Sequence, residues 1–308
     1  TRGRAALAPT PEGTVVTTDL SFARDWLTVA ELTPERIALV CGERRLTYAV
    51  FADRARRLAA TLRAAGLGAG DKVAIMCVNG HEYMETFFAA QLMGCVPVNV
   101  NYRYVGAELA YLLANSDAAA LVYHDEFATV VADALADPSG DAPGARPVLL
   151  QVAHHGDGPL LPDARDYEDA LAAADPSADL GHEPSGDDLI FLYTGGTTGW
   201  PKAVMWRSAD LALALWQMAR PGSQPPPVAD ALRADKRAAT LLPACPLMHG
   251  TGLFITLSTL AGGGTVVLLD TPRLDADAVW AAIERERVQV CTIVGDAFAR
   301  PLLAALEA

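Results

Sequence analysis

Between residues 189 and 206 the sequence reads Leu-Ile-Phe-Leu-Tyr-Thr-Gly-Gly-Thr-Thr-Gly-Trp-Pro-Lys-Ala-Val-Met-Trp. Positions 194–199 hold only Thr and Gly, and they sit between two short apolar runs of strand type, 189–193 and 203–206. Gly195, Gly196 and Gly199 let successive main-chain N–H groups turn inward around an anion, while Thr194, Thr197 and Thr198 add hydroxyl donors. Lys202 supplies a positive charge, and Pro201 fixes φ one residue before it. This combination suits a polyphosphate.

The same cluster also suits a plain hairpin between two strands. It does not suit a Walker A loop: counting that motif back from Lys202 puts Pro201 at its last glycine, and Ala203 stands where the magnesium-binding hydroxyl should follow.

The ten residues 193–202, Tyr-Thr-Gly-Gly-Thr-Thr-Gly-x-Pro-Lys, resemble the signature loop of the acyl-adenylate-forming (AMP-binding) superfamily, which includes acyl-CoA synthetases, peptide-synthetase adenylation domains and firefly-type luciferases. Two positions depart from the commonest pattern: Gly195 replaces a frequent Ser or Thr, and Ala203 replaces the usual Gly after the lysine. The resemblance implies that Thr194 is the Mg2+ ligand. It also implies that Thr197, Thr198 and Lys202 hold the β- and γ-phosphates of ATP within the glycine backbone of Gly195, Gly196 and Gly199, with Lys202 counted among the catalytic residues.

A second informative stretch is 243–252, Pro-Ala-Cys-Pro-Leu-Met-His-Gly-Thr-Gly, which opens an apolar helix expected over 253–260. By the same resemblance it lines the acyl pocket, so Met248, His249, Gly250 and Thr251 are substrate-binding candidates and His249 a catalytic one. A lone histidine beside glycines also suits a hydrogen-bonded structural role. Residues 243–254 contain no Asp or Glu to pair with an amino acid's ammonium group, which favours an apolar acid over an amino acid. The implied activity is AMP-forming ligation of a small-molecule carboxylic acid to coenzyme A, with ATP and Mg2+ as the other requirements. The alternatives are another adenylating activity and a non-catalytic nucleotide-binding or interaction module.

The 308 residues are 51% hydrophobic and 20% charged, in keeping with a soluble globular chain of about two domains. Net charge is −13, and residues 137–188 carry twelve acidic side chains against two basic ones, which excludes a basic nucleic-acid face there. Cys41, Cys77, Cys95, Cys245 and Cys291 are widely spaced and form no C-x-x-C pair, so they read as reduced, buried and cytoplasmic. The six histidines show no i,i+4 pair, and no metal site is expected from them. Neither a signal peptide nor a transmembrane segment is expected, because the longest uncharged stretch, 250–269, is broken by Gly262, Gly263 and Gly264. A homodimer is an allowed assembly.

The elements that must position these residues alternate between strand and helix, which gives an α/β fold. Strands are expected at 37–41, 73–78, 96–100, 119–123, 147–152, 239–242, 263–269 and 288–294. Helices are expected after Thr47, over 81–93 with Asn79 as cap, and over 106–115, 167–173, 209–218, 275–286 and 297–307. Tyr83, Met84, Phe87, Phe88 and Met93 stand at helical spacing and read as core. The resemblance covers residues 20–308 and implies two packed α/β subdomains of an acyl-CoA synthetase N-terminal domain. Residues 72–206 would form the first, and 20–70 with 207–308 the second, discontinuous and incomplete; 1–18 would be a flexible N-terminus. The family's C-terminal part and lid would follow residue 308, so the chain alone is expected to be inactive.

Overall fold

The computed structural model describes residues 20–136, 146–154, 158–196, 199–234 and 239–307. The flexible stretch expected at 1–18 lies outside them, as do Thr197 and Thr198. In chain order the elements are α1 (Phe22–Leu32), β1 (Ile37–Cys41), β2 (Arg44–Thr47), α2 (Tyr48–Ala64), β3 (Lys72–Met76), α3 (His81–Leu92), β4 (Val96–Asn99), α4 (Gly106–Asn115) and β5 (Ala118–His124). They continue with α5 (Ala128–Ala136), β6 (Val148–Val152), β7 (Ala164–Asp166), α6 (Tyr167–Ala173), β8 (Leu189–Gly196), β9 (Gly199–Arg207), α7 (Ser208–Ala219) and α8 (Val228–Arg233). The last are β10 (Thr240–Pro243), α9 (Gly250–Ala261), β11 (Thr265–Leu268), α10 (Ala276–Glu286), β12 (Val290–Thr292) and α11 (Asp296–Glu307).

The strands make two sheets. One has seven strands in the order β7-β6-β5-β3-β4-β8-β9, parallel except for the β8–β9 hairpin; the other has five in the order β12-β10-β11-β1-β2, parallel except for β1–β2. Side chains alternate across each sheet as strand geometry requires. On β3, Val73 and Ile75 face a core shared with the other sheet, and Ala74 and Met76 face the opposite side. On β11, Val266 and Leu268 face the shared core and Val267 the far side. The shared core is filled by α1, α2, α3, α6 and α9, so five layers alternate helix and sheet, with α4 and α5 outside one sheet and α10 and α11 outside the other. Apolar strands covered on both faces are what the continuous hydrophobic runs required.

Trp26, Phe51 and Phe88 hold three of the middle helices together: Trp26 stacks on Phe88 at 4.3 Å between ring centres and meets Phe51 edge-on at 4.9 Å. Tyr83, Met84, Phe87, Phe88 and Met93 are buried in the same core. Thr47 caps α2 through the Val50 N–H, as its residue type predicts. Asn79 does not cap α3. Gly80 occupies that position without a side-chain bond, and the Asn79 amide reaches across to the other sheet instead. Among the described residues α1, β2, α5, β7 and α8 were not expected from periodicity, being short or, for α1, next to a stretch without pattern. Cys77, Cys95 and Cys245 are buried, but Cys41 is only half-buried and Cys291 is exposed, which corrects the reading of all five as core; none forms a disulfide.

Candidate functional site

Strand pairing reaches into the Gly/Thr stretch: among the described residues Thr194, Gly195, Gly196 and Gly199 belong to an antiparallel hairpin rather than to a loop. β8 runs through Thr194 to Gly196 and β9 starts at Gly199, with Thr194 opposite Lys202 and Gly196 opposite Gly199. The register shifts between Thr194 and Gly196, and Gly199 has φ of +137°, a region that side-chain-bearing residues avoid. Because direct cross-strand partners share a face, Thr194 and Lys202 leave the hairpin on the same side, and both are exposed. Tyr193 and Ala203, the next pair, point the other way into the outer core. The Ala203 methyl, where the family pattern has glycine, therefore turns away from the face that carries the candidate donors. Pro201 is tolerated because β9 is an edge strand.

Three contacts fix this hairpin in place. The Tyr193 hydroxyl donates to Asn115 Oδ1 at 2.8 Å, and the Trp200 ring stacks on Tyr111 of α4 at 4.9 Å. The third is Asn99, buried at the end of β4: its Oδ1 accepts the Tyr193 N–H at 2.5 Å, and its Nδ2 donates to the carbonyls of Tyr193 at 3.1 Å and Met248 at 2.6 Å. One side chain thus ties the residue before Thr194 to the residue before His249.

Asn79, three residues past the end of the neighbouring strand β3, does the same for the rest of the 243–248 turn. Its Nδ2 donates to the carbonyls of Cys245 and Pro243 at 3.2 and 3.4 Å, and its Oδ1 accepts the Leu247 N–H at 2.7 Å. The carboxyl ends of β3, β4 and β8 in one sheet and β10 in the other meet here, the usual place for a ligand in open α/β sheets. Asn79 and Asn99 are residues tying the candidate site together that sequence reading missed. The only local signal was an asparagine at or just past the end of each apolar strand.

Helix α9 begins at Gly250, earlier than periodicity suggested, with His249 as its N-cap and no side-chain capping bond. The first-turn N–H groups of α9 have no intrahelical partner and carry the positive end of the helix dipole. A Cβ on Gly250 would lie 3.0 Å from Leu192 Cδ2 and 3.2 Å from Phe254 Cε2, so this helix start sits against the β8 face that Thr194 continues. Gly252 is required by close approach: a Cβ there would be 2.8 Å from the Pro246 carbonyl oxygen. His249 and Thr251 are exposed, whereas the Met248 side chain is buried in the outer core with Tyr193 and Val98. Of the four substrate candidates, Met248 is therefore the one whose side chain faces packing, and it reaches the site through its main chain. Partial desolvation, and secondarily the charge of Arg103, pull the His249 imidazole below the ordinary histidine range. Arg103, in the loop after β4, was not singled out in the sequence.

Among the described residues Lys202 has no ion-pair partner, while Arg207, the other nearby cation, is engaged by Asp187 and Asp210. A cleft between the two sheets is bordered by Asn79, Tyr102, Arg103, Pro246 and Leu274, adjoining the 243–248 turn rather than the hairpin.

A Gly/Thr hairpin with a free lysine, set at the carboxyl edge of a parallel sheet beside the start of an apolar helix, is an arrangement suited to holding phosphate in an α/β protein. The chain belongs to the AMP-binding enzyme family, whose profile matches residues 27–307. It is 41% identical over 301 residues to the medium-chain acyl-CoA ligase Mig of Mycobacterium avium, covering 91% of this chain and 53% of that protein. It is 36% identical over 296 residues to the 3-oxocholest-4-en-26-oate–CoA ligase of Rhodococcus rhodochrous, covering 90% and 49%. The chain thus spans about half the length of the curated relatives it matches. Among solved structures, the inhibitor-bound N-terminal domain of FACL13 from Mycobacterium tuberculosis superposes with a TM-score of 0.71 at 25% identity, covering 90% of this chain and 64% of that one.

Proposed function

We propose that the full-length protein is an AMP-forming ligase that joins an apolar carboxylic acid to coenzyme A. The observation that carries this reading is the Asn99 bridge, which holds the hairpin of Thr194 and Lys202 beside the start of α9. In the first half-reaction the substrate carboxylate attacks the α-phosphorus of ATP, the bond to the β-phosphate oxygen breaks, and pyrophosphate leaves. In the second the thiol of coenzyme A loses its proton and attacks the acyl carbon, and AMP leaves.

The residues present fit a polyphosphate. Thr194 Oγ1 and Lys202, which leave the hairpin on the same exposed face, are donors for charge that grows on departing pyrophosphate. Thr194 Oγ1 would be the ligand this chain offers to a Mg2+ ion, and that ion would supply charge neutralisation at the phosphates. His249 and the first N–H groups of α9 orient the carboxylate, while α9 and Leu192 give its tail an apolar wall. The relatives named for medium-chain and sterol acids, and the lack of an acidic residue over 243–254, support an apolar acid. The two sheets support a division into subdomains 72–206 and 20–70 with 207–308. Five free cysteines support a reducing, cytoplasmic setting. Among the described residues no helix is long and apolar enough to cross a membrane.

The test is acid-dependent exchange of labelled pyrophosphate into ATP, with hydroxylamine trapping of the acyl-adenylate, using the full-length protein. Exchange driven by medium-chain fatty acids supports the reading; exchange driven only by amino acids, or ATP binding without exchange by any acid, overturns it.

A further inference from the structure

Spacing along the chain gave no reason to expect a metal site among the histidines, yet the fold brings two of them to one place. β5 ends at His124, the turn that follows carries Glu126, and β6 lies parallel beside β5 with Val152 opposite His124, so that His154 arrives two residues later. We propose that His124, Glu126 and His154 bind one Zn2+ ion.

Each of the three offers a ligand atom within 4.8 Å of the other two. The imidazoles of His124 and His154 stack with centres 4.1 Å apart and planes 18° from parallel, and Glu126 Oε2 is 3.6 Å from His154 Nδ1. Ligand atoms around a tetrahedral zinc with bonds of about 2.0–2.1 Å stand roughly 3.3 Å apart, so zinc binding requires the two rings to turn from their stacked arrangement and draw the set together. The backbone is already fixed, because Asp125 Oδ1 accepts the His154 N–H at 3.2 Å. His124 is fully buried, and the His154 and Glu126 side chains are mostly so.

Two imidazoles and one carboxylate form a nitrogen-rich set that selects zinc-like ions over Mg2+ or Ca2+, and three protein ligands leave a fourth position for water. The site is separate from the hairpin: β3 and β4 lie between β5 and β8, about 14 Å at ordinary strand spacing. On its other side His124 faces Phe127, which stacks on Tyr102 at 5.8 Å. Zinc would tie the connection leaving β6 to the end of β5, and a structural ion of this kind adds its binding free energy to folding.

Tag-free full-length protein is incubated with zinc, desalted and analysed for metal per chain; Co2+ is loaded in parallel and its visible ligand-field absorption recorded. The expected result is one zinc per chain, a melting temperature raised by zinc and lowered by chelator, and a tetrahedral-type cobalt spectrum. Glu126→Gln and His154→Gln keep side-chain volume, and folded samples of both, checked by circular dichroism, should lose the retained zinc and the cobalt band. Absence of retained zinc in the wild type, or equal retention in folded His154→Gln, overturns the assignment.

Discussion

The side chain of Asn99 continues a strand ladder where the strand itself stops: it accepts the N–H of Tyr193 and donates to the carbonyl of the same residue, as a paired backbone would. Its remaining donor goes to Met248, so all its geometry is committed to the residues just ahead of Thr194 and His249. Asn99→Ala leaves buried main-chain groups unpaired at both places. It should cost about 1–3 kcal/mol of stability. Because displacement of reacting groups by about 1 Å costs on the order of 10²-fold, pyrophosphate exchange per folded molecule should fall far more than substrate affinity. Unchanged exchange in folded Asn99→Ala would show that the two segments are held by other contacts.

Thr194 and Lys202 are exposed cross-strand partners with no role in packing. Thr194→Ala and Lys202→Ala should therefore keep the wild-type melting temperature and lose about 10²–10³ in turnover, the usual consequence of removing one preorganised donor. The measurement is pyrophosphate release by each full-length variant. Wild-type rates in either would remove that residue from the phosphate site.

Gly250 and His249 separate by size and by pH. A leucine at Gly250 must grow past Leu192 and Phe254, so Gly250→Leu should exclude long acids and spare short ones, read as kcat/KM over an acid series beside melting curves. His249→Ala should impair adenylation of every acid. The imidazole is held below the ordinary value of about 6.5, so it is neutral at pH 7, and an acid limb carried by it lies below that value. Arg103→Ala, by removing a repelling charge, should move the limb upward. A structural histidine gives a different pattern: a lower melting temperature with unchanged activity per folded molecule.

A buried ion pair supports the middle layer. Arg54 Nε and Nη2 donate to the two Glu85 oxygens at 2.7 and 3.1 Å, and Tyr167 Oη donates to Glu85 Oε2 at 2.7 Å. Burial by itself would raise the Glu85 pKa, but His81 and Arg54 outweigh it and hold the carboxyl at about 2. Since this lies below the unfolded value of about 4.3, the stabilisation is complete above that pH and is lost as pH falls from there to about 2. Arg54→Met strands a buried carboxylate and should cost about 3–5 kcal/mol near neutral pH, and adding Glu85→Gln should recover part of it. Denaturant unfolding of the single and double variants between acid and neutral pH checks both statements.

Most of the fold was legible because parallel strands covered on both sides must be continuously apolar, as β3, β5 and β11 are, and because Thr47, Gly66 and Gly94 punctuate the chain where helices stop or start. α1 was not legible: Trp26 and Phe22 become a core face only against Phe51 and Phe88, which lie in other helices. In the site, the Thr/Gly/Lys pattern announced itself through local spacing. The two asparagine bridges and the His124–Glu126–His154 group did not, since each joins residues that meet only across strands.

The pairing of β1 with β11 has a consequence for synthesis. Leu39 lies opposite Val266 and Cys41 opposite Leu268, so the β1–β2 hairpin has no neighbour for one whole edge until more than two hundred further residues have emerged from the ribosome. At about 5–20 residues per second that wait lasts on the order of 10–50 s. The seven-stranded sheet, whose last strand ends at Arg207, is completed first, and it offers the middle helices an apolar surface on which the waiting hairpin can be stored. A nascent chain stalled between residues 207 and 265 therefore displays an unpaired, apolar β1 edge, and that interval is when a chaperone has most to protect.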